Sequence, residues 1–143
     1  MIPNSSDEYH PRPILVYDLD CGFCRWSVAR VLAWDKDRVL DLATLQEPGA
    51  AELLSSVPAD ERMKSSHLVM PDGTVYSGGA ALAPLAALLP AGAPVAFVAR
   101  SVPGLMNWGY RQIAENRMKV SKLVPAAAKA RADEQIARRR SEP

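Results

Sequence analysis

The sequence predicts a small α/β fold, a βαβα unit followed by a β-hairpin and a helix, with extra helices at the C-terminal end. Three observations carry this. A short apolar run, Ile14-Leu-Val-Tyr17, leads into a helical spacing of apolar residues from Cys21 onward. A second apolar run, Val39 to Leu45, stands a helix length further on. Two short β-type runs then flank Pro71-Asp72-Gly73, where Pro presets φ and Gly accepts a positive φ.

Taken in order, residues 1–13 are polar with three prolines and read as a disordered arm. The first strand spans Ile14–Tyr17. The first helix runs from Cys21 to Trp34, because Cys21, Cys24, Val28, Val31 and Leu32 fall on one helical face, and Asp35-Lys-Asp37 ends it. Val39–Leu45 is the second strand, with Asp41 tolerated near an edge or an end. Pro48-Gly49 opens a short helix over Ala50–Ser56, and the charged stretch from Pro58 to Lys64 links onward. The hairpin is His67–Met70 and Thr74–Tyr76. Gly78-Gly79 leads into a helix over Ala80–Leu89, where Pro84 fits near the first turn but is costly deeper in. A helical piece spans Val95–Ser101, Pro103-Gly104 breaks it, and a strong helix covers Met106–Val120 with Met106, Tyr110, Ile113 and Ala114 on one face. From Pro125 the chain is Ala/Arg-rich and ends in Arg138-Arg-Arg140, which reads as a helical, solvated tail or as a basic contact with acidic lipid or a partner.

The chemistry concentrates at Cys21-Gly-Phe-Cys24, which holds both cysteines of the chain. Cys21 falls at the start of the first helix, where unpaired N–H groups and the positive end of the dipole favour an anion such as a thiolate. Cys24 lies a turn further in, on the core side. Cys21 is therefore the candidate nucleophile and Cys24 the candidate resolving thiol. Arg25 adds a nearby positive charge, whereas Asp20 acts the other way. Gly22 gives a small position between the sulfurs, and Phe23 can cover them or contact a partner. A zinc site lacks its second half, since His10 and His67 lie apart and no further cysteine exists. No metal and no cofactor are expected. A purely structural disulfide would close only a tiny loop.

Composition narrows the function classes. The 143 residues fit one domain, and 48% hydrophobic content supports a real core. A formal net charge of +1 gives no reason to expect nucleic acid. The first residues lack the basic and apolar regions of a signal peptide, so a cytoplasmic, reducing location is expected, where C-x-x-C is more often catalytic than structural. Gly78 to Ala99 is uncharged and as long as the roughly 20 residues a membrane span needs, but Pro84, Pro90 and Pro94 argue for two core helices instead. Membrane insertion is not expected, and peripheral association stays open.

Asp18-x-x-Cys21-x-x-Cys24 resembles the D-x-x-C-x-x-C signature of the DCC family of thiol-disulfide oxidoreductases. His67-Leu-Val-Met-Pro-Asp-Gly73, Tyr76-Ser-Gly-Gly-Ala-Ala81 and Tyr110-Arg-Gln-Ile-Ala-Glu-Asn-Arg117 resemble its other segments, so the similarity covers about residues 14–122. The resemblance implies a thioredoxin-like fold, which agrees with the element order, and a dithiol site at Cys21 and Cys24. The chain then divides into the arm, a thioredoxin-like domain over 14–122 and the tail over 123–143. The implied partner is a protein disulfide or a glutathione-like thiol. The chain departs from thioredoxins and glutaredoxins in one place: where they carry a cis-proline before the third strand, Ser65-Ser66 precede His67. That argues against thioredoxin-style peptide docking and leaves Ser66 as a candidate contact. Gly78-Gly79 is similar to the glutaredoxin pair that holds a glutathione carboxylate, or it serves only a tight strand-to-helix turn.

Asp18 ends a buried strand near Cys24. It is a candidate proton acceptor for the resolving thiol, or a helix cap. Arg117, with Asn116, is read as an inward salt bridge or a surface residue. Trp26 and Trp34 lie off the Cys24 face and form a contact patch or pack helices. His67 is read as a strand residue rather than a proton shuttle. Two further functions stay in view. One is a thioredoxin-like adaptor, redox-inactive or redox-switched. The other is a phosphatase-like use of Asp18, since an apolar strand ending in Asp18-x-Asp20 resembles the nucleophile loop of haloacid-dehalogenase-type enzymes, although Gly22 stands where that family has Thr.

Overall fold

A computed structural model describes residues 12–141. Four strands form one mixed sheet, β1 (Ile14–Tyr17), β2 (Asp41–Thr44), β3 (His67–Val69) and β4 (Val75–Ser77), in the order β2-β1-β3-β4. β1 and β2 are parallel, with Ile14 opposite Asp41 and Tyr17 opposite Thr44, while β3 runs antiparallel to both β1 and β4. The helices described are α1 (Gly22–Trp34), α2 (Ala50–Leu53), α3 (Leu82–Leu88), α4 (Ala93–Ser101), α5 (Pro103–Glu115), α6 (Arg117–Leu123) and α7 (Ala126–Ser141). Short 3₁₀ turns cover Arg62–Lys64 and Gly78–Ala81. The mixed sheet with helices on both faces is α/β and consistent with the thioredoxin-like fold. The expected arm lies outside the described residues up to residue 11, but Pro13 is buried and its carbonyl accepts the Asp41 N–H at 2.9 Å.

All four residues of β1 are buried, because alternate side chains feed two different cores. Ile14 and Val16 pack with Ala43, Leu54, Val57 and Val69. Leu15 and Tyr17 pack with Val28 and Leu32 of α1 and with Ile136 of α7. A third cluster joins Leu40, Leu68, Ala81 and Leu89. Asp41 begins an edge strand, as expected.

Several boundaries differ from the sequence reading, each for a local reason. α2 stops at Leu53 rather than Ser56, because Ser55 and Ser56 are poor helix formers and Pro58 disfavours helical φ/ψ at Val57. Pro103 does not merely break α4 but opens α5, occupying a first-turn position that needs no N–H. The predicted helix 106–120 is two helices. The Asn116 side chain donates to the Gln112 carbonyl at 2.7 Å, competing with the helical ladder, and α6 starts anew at Arg117.

The segment after Pro125 is helical but not solvated along its length. Ala132 and Ile136 of α7 are buried, and Arg139 forms an ion pair with Asp35, which is 1% exposed. Asp35 was read only as a helix end. Its carboxylate also accepts the N–H groups of Val39 at 2.9 Å and Leu40 at 3.1 Å, so it fixes the turn between α1 and β2 and anchors α7 to it. His67 is a buried strand residue, as expected. Its Nδ1 lies 2.7 Å from Ser77 Oγ and its Nε2 lies 2.8 Å from the Arg62 carbonyl.

Asp35→Ala should cost about 3 kcal/mol or more in urea unfolding, since it strands Arg139 and two backbone donors. Burial lowers the His67 pKa, partly countered by the Arg62 carbonyl. The unfolded chain therefore binds a proton more readily. Its contribution to stability is full above the ordinary histidine value of about 6.5 and falls as pH drops below that. Urea midpoints measured against pH should show this loss, and it should be absent in His67→Gln.

Candidate active site

The site lies where β1 hands over to α1. β1 ends at Tyr17, Asp18 through Asp20 form a turn, and Cys21 is the N-cap of α1 in an extended conformation. The Cys21 N–H reaches the Asp18 carbonyl at 3.3 Å, and the Cys21 Sγ accepts the Cys24 N–H at 3.2 Å. A sulfur thus occupies the place an oxygen fills in an ordinary cap, receiving one of the free N–H groups of the first turn. Both cysteines are free thiols here; Cys21 is buried at 4% exposure and Cys24 is half-buried.

Burial pushes the Cys24 thiol up to about 12, with the hydrogen bond to Cys21 and its charge adding to the effect. Asp18 pushes the same way, and Arg117 opposes. Cys24 is therefore held as a thiol across the neutral range.

Asp18 is buried at the strand end, and its carboxylate is fully engaged. Oδ1 accepts the Asp20 N–H at 3.0 Å and the Gln46 side-chain amide at 2.8 Å, and Oδ2 meets Arg117 at 3.2 Å. It braces the turn ahead of α1 rather than standing as its N-cap. Gln46 also accepts the Leu19 N–H at 3.1 Å, which ties the loop after β2 to the cysteine turn. No sequence signal pointed to Gln46.

A cavity of about 160 Å³ opens beside the dithiol. Its lining includes Asp18, Phe23, Cys24, Ser66, Tyr110 and Arg117. Its walls are largely apolar. Among the predicted site residues, Asp18, Phe23, Cys24, Ser66 and Gly78 line it. Phe23 stacks on Trp26 with ring centroids 5.9 Å apart, while Trp34 donates to the Pro90 carbonyl and packs helices.

Three predicted residues are placed elsewhere. Arg25 is not among the lining side chains; it pairs with Asp133 of α7 at 2.8 Å and donates to the Leu19 carbonyl. Gly79 is packed under α5, where an added Cβ would sit 2.7 Å from the Asn107 backbone, so its absence of side chain serves helix approach. Cys21 is buried and is not among the lining residues; on its neighbour Gly22 an added Cβ would meet Lys129 and Ser121 at 3.1 Å each.

Tyr110 lies on the predicted helix face and in a segment that resembles the family. Its hydroxyl accepts the Ser66 N–H at 2.9 Å, which occupies the backbone donor at the position where thioredoxins align a peptide. Arg117 proves to be the inward salt bridge. Helical spacing could not have paired them, since α5 ends at Glu115 and α6 starts at Arg117.

The described residues hold no group of three or more His, Cys, Asp or Glu able to bind a metal ion, and no described helix is long and apolar enough to cross a membrane. A family model, DCC1-like thiol-disulfide oxidoreductase, matches residues 15–123, and the chain belongs to that family. Comparison with curated proteins and with solved structures gave no match.

Arg117→Ala should raise the Cys24 pKa further, since it removes the one cation that favours this thiolate. Following the Cys24 Cβ chemical shift against pH by NMR checks the direction.

Proposed function

We propose that this member of the DCC1-like family exchanges the Cys21–Cys24 dithiol with a disulfide in a protein or a small glutathione-like partner, Cys21 attacking and Cys24 resolving. The observation that carries the reading is the asymmetry of the two sulfurs. Cys21 Sγ receives an N–H at the start of α1, whereas Cys24 is kept protonated by burial and by Cys21 itself. A thiolate is the attacking species in such exchange.

In the first step the Cys21 thiolate attacks one sulfur of the partner disulfide. An S–S bond to Cys21 forms, the partner's own S–S bond breaks, and its other sulfur leaves as a thiolate. Cys24 then gives up its proton and attacks Cys21. The Cys21–Cys24 disulfide forms and the partner's second sulfur leaves reduced, so two electrons pass from the protein to the partner. Asp18 is the proposed proton acceptor: it lines the same cavity as Cys24 and its negative charge acts on that thiol. Arg117 holds its carboxylate in place. The reverse direction uses the same bonds, and the poise of the compartment decides between them. The cytoplasm expected from the sequence would keep the pair reduced.

Substrate contacts are proposed for Phe23, Ser66 and Gly78 on the cavity wall. With the Ser66 N–H taken by Tyr110, a partner is held by apolar contact more than by backbone pairing. For Arg25 and Gly79, the Asp133 pair and the α5 packing favour structural roles. The family match gives the phosphatase-like reading no support.

One observation favours the redox-switched adaptor as a second reading. Cys21 is only 4% exposed, so attack on a bulky partner requires the residues around it to move.

A redox titration should place the pair between about −120 and −270 mV, the range of dithiol exchange catalysts; a midpoint below about −300 mV argues against catalysis. Cys24→Ser should accumulate a mixed disulfide through Cys21, detected by mass, and Cys21→Ser should abolish turnover. An adaptor would keep its partner in Cys21→Ser.

A further inference from the structure

α4 has its apolar side chains arranged the wrong way round for a helix that faces water. It buries Ala96 and Ala99, whereas Val95, Phe97 and Val98 are turned outward, Phe97 at 71% exposure. A soluble amphipathic helix puts the large side chains inward. The pattern continues through the next two helices. α5 turns Met106, Tyr110 and Ala114 partly inward but exposes Leu105 and Trp108, and α6 exposes Met118. Most large hydrophobic side chains exposed among the described residues fall within this one stretch of chain. A concentration of that kind marks an interaction surface.

The charges of the same stretch have one sign. Residues 93–124 contain five cations, Arg100, Arg111, Arg117, Lys119 and Lys122, and one acid, Glu115, in a chain of net charge +1. Arg117 turns inward to Asp18. The other four are exposed, interleaved with the apolar residues along the helices.

We propose that α4–α6 form a docking surface for an anionic lipid membrane, lying in the interface plane without crossing it. An exposed apolar side set, a tryptophan and flanking cations are what an interfacial helix needs: apolar area to bury at the acyl boundary and positive charge toward the headgroups. A protein partner would leave the single sign of charge without a role unless it too were acidic. The surface belongs to the helices that carry Tyr110 and Arg117, so docking holds the dithiol cavity beside the membrane. The proposal does not depend on which cysteine attacks.

The test is flotation of the full chain with vesicles of phosphatidylcholine alone and of phosphatidylcholine mixed with phosphatidylglycerol. Binding is expected to the mixed vesicles only and to weaken with added salt. Lys119→Gln with Lys122→Gln should lower the partition coefficient about twenty-five-fold, a factor of about five for each cation near an anionic surface. Phe97→Ser with Trp108→Ser should abolish binding while thermal melting, measured in parallel, stays cooperative. Absence of binding to the mixed vesicles overturns the proposal, as does equal binding to both vesicle types or binding that survives these substitutions. A concentration-dependent dimer that disappears in Phe97→Ser with Trp108→Ser, without vesicle binding, assigns the surface to a second copy of the chain and also overturns it.

Discussion

The complete burial of β1 is the constraint on which the remaining structure depends. A four-residue strand with every side chain buried must be covered on both faces. Ile14 and Val16 are covered by the α2 side, and Leu15 and Tyr17 by α1 and α7. Because β1 is central, its C-terminal end opens between layers rather than onto a flat surface, and the turn that follows brings Cys21 to the first free N–H groups of α1. The proposed chemistry belongs there because a strand end and a helix start meet at one point with a thiol on the cap.

Elements far apart in sequence converge on that point through Asp18. Its carboxylate gathers Gln46 from the loop after β2 and Arg117 from the start of α6, which follows the break at Asn116. A buried carboxylate left without these partners would cost several kcal/mol, so the pair and the amide are needed together. Tyr110 secures the opposite wall by taking the Ser66 N–H. The result is a largely apolar cavity in which Asp18, His67 and Tyr110 already have partners.

The C-terminal helix adds a second layer of constraint. α7 is held by Arg139 on Asp35, Arg25 on Asp133 and Arg140 on Glu47, besides the burial of Ala132 and Ile136. The Arg139 contact is the consequential one, because Asp35 is buried, whereas the Arg25 and Arg140 pairs are more exposed and weaker. The same helix brings Lys129 against Gly22, so a segment that stabilises the fold also lies beside the residue that follows Cys21.

Much of the architecture was legible by inspection. Ile14–Tyr17, the helical face from Cys21, and the Pro71-Asp72-Gly73 hairpin are local signals, decided by side-chain period and turn stereochemistry, and the element order with D-x-x-C-x-x-C led to the family. What stayed hidden were pairings between residues far apart. Nothing in Gln46 marks it as a partner of Asp18, and Asp35 looks like any helix-ending acid until Arg139, more than one hundred residues later, is brought onto it. The Ala/Arg-rich end read as solvated because its few apolar residues are spaced among charges, yet Ile136 joins the core of β1. The sequence by itself determined the strand, the helix start and the two thiols, since those follow from the backbone preferences of neighbouring residues. Only the tertiary structure decided which sulfur is covered, which charges meet Asp18 and which helix faces are left outward, because burial and ion pairing depend on distances that chain order does not encode.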